Sequence, residues 1–167
     1  MKKMPSAQRC MESITKESRQ LLNQIHGLSA SDPKSVKDAL VLLAKLRELA
    51  SESLNALQHE YLVVRTREHL EQAYAKNTQW YWQHPQQSGP ANEPDLRAVL
   101  NDKVMVSAEV SAAARPIGSI DTHMRKTLEN LAKMEGRRLY VVRTESMKKR
   151  AMTKVSKAGD AIEVLIL

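Results

Sequence analysis

The sequence predicts a mainly α-helical chain, with a long helical hairpin or coiled coil first and short helices followed by a few strands after it. Three observations carry this. From Met11 to Tyr74 apolar residues recur at spacings of three, four and seven, which is helical period. No Gly or Pro interrupts the chain between Pro33 and Pro85. Three of the six prolines then crowd into residues 85–94. Of 167 residues 42% are apolar and 27% charged, enough for a core and too apolar for wholesale disorder.

In the first helix Met11, Ile14, Leu21, Leu22, Ile25 and Leu28 share one face, and Gly27 is expected to end it. Asp32-Pro33 gives a helix-start signal, with Asp32 as N-cap and Pro33 at the first helical position. Ala39, Leu42, Leu43, Leu46, Leu49, Ala50, Leu54, Leu57, Tyr61 and Val64 then hold helical period. A helix of about 40 residues is about 60 Å long. One short helix cannot cover such a stripe, so a second copy of the chain is expected, with Leu42, Leu46, Leu49 and Leu57 in the dimer seam. The alternative is a break near Ser51-Glu52-Ser53 and a three-helix bundle. Trp80, Tyr81 and Trp82 hold three of the chain's six aromatics and are expected at the end of the helix. They read as an anchor for a protein partner, a base-stacking platform, or a docking contact with the neighbouring domain. The absence of a basic residue between Lys76 and Arg97 argues against stacking.

Residues 85–94 read as a Pro-rich linker between a helical dimerisation region, 1–84, and a second domain, 95–167. In the second domain Asp95 to Leu100 is expected as a short helix, Val104-Met105-Val106 as a short strand, and Ser107 to Ala114 as a second helix. Ser119 or Asp121 caps a third helix carrying Ile120, Met124, Leu128 and Leu131, which Gly136 ends. Leu139 and Val141, and later Ile162, Val164 and Ile166, alternate as strands do.

The stretch from Ser107 to Ala114, through Ile120-Asp121-Thr122-His123-Met124 to Leu128 and Leu131, resembles the winged helix-turn-helix superfamily. That resemblance implies a recognition helix from Ser119, a β-hairpin wing holding residues 147–154, and duplex DNA as partner. The charges agree. Between His123 and Lys157 stand eleven Lys and Arg against three Glu, a net +8 that exceeds the +7 of the whole chain. Ser119, Asp121, Thr122, His123, Arg125 and Lys126 are then expected at base edges, with Arg125 suited to guanine and Lys126 to phosphate. Arg137, Arg138, Lys148, Lys149, Arg150 and Lys154 are expected at the DNA backbone or minor groove. A solvated hairpin whose lysines protect an edge strand is the alternative.

Catalytic motifs are not evident. The five histidines show no His-x-x-x-His spacing, one cysteine cannot form Cys-x-x-Cys, and five scattered glycines cradle no phosphate. No metal site, cofactor or enzymatic activity is therefore expected, and Cys10 reads as a packing residue in a reducing compartment. No apolar run suits a membrane span, and Met1-Lys2-Lys3-Met4-Pro5 leads into polar sequence, unlike a signal peptide. The expectation is a cytoplasmic homodimer that binds DNA without chemistry, as a transcriptional regulator or a plasmid or phage accessory factor. The alternative is a helical adaptor whose winged domain and Trp80-Tyr81-Trp82 bind a protein.

Overall fold

A computed structural model of the chain describes residues 1–83, 93–158 and 161–167; the side chains of Glu52, Lys157 and Ala158 are also left undescribed. Expected linker positions 85–92, with Pro85 and Pro90, lie outside these residues. The elements are β1 (Lys2–Lys3), α1 (Ala7–Ser29), α2 (Val36–Glu71), β2 (Gln79–Trp82), β3 (Leu96–Leu100), β4 (Lys103–Ser111), α3 (Ser119–Leu131), β5 (Arg137–Val142), α4 (Glu145–Ala158) and β6 (Ile162–Ile166). The fold class therefore differs from the expected one. It is mixed α/β, a six-stranded sheet covered by helices, not a mainly α chain ending in a winged helix-turn-helix.

Strands lie in the sheet in chain order, β1 to β6. The first four pair antiparallel, and β4, β5 and β6 are parallel, with α3 and α4 as the crossovers. One core forms where α1 and α2 meet the sheet, around Ile14, Leu57, Val64, Leu96, Ala108 and Val141. A second forms on the other face, where Met124, Leu128 and Leu131 of α3 and Met147 and Ala151 of α4 cover Tyr140 and Val142. Alternation along the strands explains the division: from Val106 onward the even positions of β4 face α1 and α2, and the even positions of β5 face α3 and α4.

α2 does run unbroken through Ser51 and Ser53, but it starts later than expected. Ser35 is its cap: the hydroxyl accepts from the backbone N–H of Asp38 at 3.1 Å and donates to the Asp38 carboxylate at 2.7 Å. α1 likewise continues through Gly27 to Ser29. Leu42, Leu46, Leu49 and Leu57 lie on the side of α2 turned toward α1, where Leu49 and Leu57 join the cluster that holds Ile14 and Leu21.

Where helices are expected at 95–100 and 107–114, the chain forms β3 and, up to Ser111, the second half of β4. Ala98 and Ala108 are fully buried in the core that α1 and α2 share with the sheet, and at Ala108, on the strand that packs against α2, a larger side chain would hold the helix off. Their helix propensity is overridden by this packing role. The turn between β3 and β4 is two residues, Asn101 and Asp102, both with positive φ (50° and 60°), which matches the right-handed strand twist. The basic run 147–154 lies on α4, not on a wing. Met147 and Ala151, four apart, point into the core, and Lys149, Arg150 and Thr153 point outward.

One bulge interrupts the β3–β4 ladder: Ala98 pairs with Val106 and Val99 with Val104, which leaves Met105 unmatched. Gly136, at φ +75°, sits against this bulge. A Cβ there would lie 2.8 Å from the Met105 carbonyl carbon and from the Val104 and Met105 oxygens. Gly136→Ala combines a left-handed conformation with a clash against backbone that cannot rotate away. It should cost about 2–4 kcal/mol, lowering Tm by roughly 5–12 °C in a chain of this size. A Tm within 2 °C of wild type in a thermal melt would show that the turn before β5 can be rebuilt.

Candidate functional site

A cavity of about 1030 Å³ opens at the carboxyl end of the parallel strands, between α2 and α3. Open sheets bind ligands at this edge because the loops there diverge. Asp95 and Glu109 stand on its floor. The ladder brings them together: Leu96 pairs with Ala108, so Asp95, one residue before β3, falls opposite Glu109. Beyond the bulge the odd positions of β4 face away from α1 and α2, which aims Glu109 and Ser111 at the cavity.

Asp95 is held from two sides. One carboxylate oxygen accepts the Val110 backbone N–H at 2.8 Å and lies 3.2 Å from His59 Nε2 on α2. For His59, burial works against the charge, but the hydrogen bond to Asp95 and the charges of Asp95 and Glu60 outweigh it. The imidazole is therefore protonated to higher pH than usual. Glu109 is shifted further. Burial, then the charge of Asp95 and a hydrogen bond to it, push its pKa up to about 9. Two carboxylates this close cannot both ionise without a cation, so the pair keeps one proton. Behind them Tyr140 is pushed up to about 12 by burial, against a hydrogen bond to Ser111.

The other walls are mixed: Val110, Ala112, Ala113, Ala114, Ile120 and Met124 are apolar, and the remainder are polar or basic. Ser119, Thr122, His123 and Lys126 line the cavity from α3, Arg143 from the end of β5, and Asn55 and Gln58 from α2. Arg143 donates to Gln58 Oε1 at 3.0 Å, tying α2 to the end of β5 across the opening. Lys126 is exposed, with no carboxylate partner among the described residues.

Four of the residues expected at base edges thus line one cavity. Arg125 lies exposed beside Glu129, at 3.6 Å. Asp121 serves a structural purpose instead: Arg150 grips it with two bonds of 2.7 and 2.9 Å, and Lys154 adds a third at 3.2 Å. These bonds tie α3 to α4, and with them Arg150 holds the Asp121 carboxyl well below the usual carboxylate range. Arg137 pairs with Glu163 across β5 and β6, and Arg138 donates to the Ala132 carbonyl at 2.6 Å, closing the end of α3. Lys148 and Lys149 lie on α4, half-buried and exposed. Trp80 and Trp82 are buried from β2 in the core beneath α1 and α2, and Tyr81 is half-buried. Tyr74 meets Trp80 edge-on at 6.4 Å, with the Arg67 guanidinium over the same ring at 5.9 Å.

Asp95, Glu109 and His59 were not among the residues picked out from sequence. The available signal was an acid inside an apolar strand, Val106-Ser107-Ala108-Glu109-Val110, preceded by Pro94-Asp95 at the start of another. Reading both segments as helices hid it. Among the described residues no group of three or more His, Cys, Asp and Glu side chains is arranged to enclose a metal ion. Two carboxylates with open cavity beside them match the habit of Mg²⁺, which keeps waters and takes only one or two protein carboxylates plus substrate phosphates. No helix of the described residues is long and apolar enough to cross a membrane. Comparisons with protein-family models, characterised proteins and solved structures return no match to this chain.

Proposed function

We propose that this protein is a magnesium-dependent nuclease that binds duplex DNA and hydrolyses its phosphodiester bonds in the cavity over Asp95 and Glu109. The observation that supports this reading is the pairing of those two carboxylates, on adjacent strands, in a cavity whose lining also includes Lys126 and Arg143. A bare acid pair repels a phosphodiester, while Lys126 and Arg143 attract one. Asp95 and Glu109 would hold a divalent cation, which would reconcile both and would supply Lewis-acid polarisation and a water of lowered pKa.

The residues divide the remaining work. Val110 N–H and His59 both hold Oδ2 of Asp95 and so fix the carboxylate in place. Glu109, its proton displaced, would complete the cation site, and the attacking water gives its proton to solvent. The water oxygen forms a bond to phosphorus, the bond from phosphorus to one ester oxygen breaks, and that oxygen leaves with a proton from solvent. Lys126 neutralises charge that grows on the non-bridging oxygens, as preorganised cations do in phosphoryl transfer.

The direct test incubates the full chain with large, unmodified genomic DNA, offering many sequences, in Mg²⁺, Mn²⁺, Ca²⁺ or EDTA. Fragmentation in Mg²⁺ or Mn²⁺ and none in EDTA is expected. Intact DNA in every condition, with affinity that falls steeply as salt rises, would replace cleavage by the second reading, binding without chemistry. That second reading has its own support in Lys126, Lys148 and Lys149, cations of the α3 and α4 layer for which no ion pair forms among the described residues.

A further inference from the structure

α2 carries a second apolar stripe that its own chain leaves bare. Val36, Leu40, Leu43 and Leu54 are 79%, 62%, 59% and 46% exposed. With Arg47 and Ala50 between them they recur at intervals of four and three, so all six fall within about 40° of one line along the helix. The leucines turned toward α1 lie roughly a quarter-turn away. None of the described residues from 36 to 56 is buried. This half of α2 and the end of α1 therefore form a two-helix arm without a third layer.

We propose that the arm is the seam of a homodimer, in which α2 of one copy packs antiparallel on α2 of another. Spacing of four and three is the pattern of a helix that meets a helix, because it keeps a seam in line over several turns. The charges beside the seam select both the occupant and its direction. Lys37 and Glu48 are exposed, have no ion-pair partner among the described residues, and flank the stripe on the same side, eleven residues apart. An antiparallel copy sets each Lys37 against the partner's Glu48, twice, about an axis between residues 42 and 43. Leu40 and Leu43 then meet at that axis. A parallel copy in register would put the two Lys37 side chains on opposite sides of the seam and form neither Lys37–Glu48 pair. Two arms joined this way make a four-helix bundle, which covers both stripes of α2.

The inference needs neither DNA nor metal and stands apart from the cleavage reading. Its test is sedimentation of the full chain at about 20 µM. Wild type should have the dimer mass, and Leu40→Glu with Leu43→Glu the monomer mass with an unchanged circular dichroism spectrum. Lys37→Glu and Glu48→Lys should each raise the dimer dissociation constant about tenfold, since each acts at two symmetric pairs, and the two together should restore it. A wild-type monomer, a dimer that survives both glutamates, or a double reversal weaker than either single would overturn the proposal.

Discussion

Asp95→Asn and Glu109→Gln should each lower magnesium-dependent cleavage of duplex DNA on the order of a thousandfold while leaving duplex affinity within about threefold of wild type. The size follows from what is removed, since loss of one charge that holds a cation or stabilises a transition state typically costs two to three powers of ten or more. Both substitutions keep the shape. Asn at 95 retains an oxygen to accept the Val110 N–H and His59, so the β3–β4 edge should stay closed. Gln at 109 removes the shared proton without adding bulk. Cleavage rate and anisotropy in calcium, measured on the same preparations, separate chemistry from binding. Equal losses in rate and affinity would mean that the pair serves binding alone, and undiminished cleavage would place the chemistry elsewhere.

The second large effect is on stability. The native state holds a proton at Glu109 up to a pH of about 9, whereas the unfolded chain releases it near 4.5. Across that window the native state binds more protons, so metal-free stability should fall as pH rises, by an amount on the order of a few kcal/mol. His59 adds in the same direction. Its raised pKa contributes stability that is complete below the ordinary histidine range and is lost as pH rises through the folded value. Melts in EDTA from pH 5.5 to 9 should therefore show a declining Tm, and Glu109→Gln should flatten most of the decline. Magnesium can take the place of the proton, so its stabilising effect should be larger at pH 8.5 than at pH 6. A wild-type Tm that does not change over this range, or a slope that persists in Glu109→Gln, would sink the argument.

These effects depend on two residues that the sequence presents weakly, and the reason is physical. Long-range periodicity was legible: α1, α2, α3 and the strands at Leu139 and Ile162 follow from apolar spacing alone. The strand at Val104–Val106 was legible too, but segments 95–100 and 107–111 were not, because both are buried on one face against the core that α1 and α2 share with the sheet. Close approach calls for Ala98 and Ala108, residues that otherwise favour helix. The basic run at 147–154 was legible as charge but not as shape, since the Met147 and Ala151 pair that fixes α4 is only two residues long. The Asp95 and Glu109 pair could not appear before the strands did, because it is created by register across the ladder. Ser119, Thr122, His123 and Lys126 were reached by another route, as the exposed start of a helix in a basic segment, and that start does line the cavity.

The bulge at Met105 acts on side-chain alternation as a frameshift acts on a reading frame. Val104 and Val106 are two apart yet belong to opposite faces, because the ladder skips the residue between them. Counting by twos from the Asn101-Asp102 turn would place Glu109 among the apolar side chains under α2. Counting from Asp95, beyond the skip, places it on the cavity floor. The chain thus sets the frame of its acids at the far end of the hairpin, where Gly136 leaves room for the skipped residue's carbonyl.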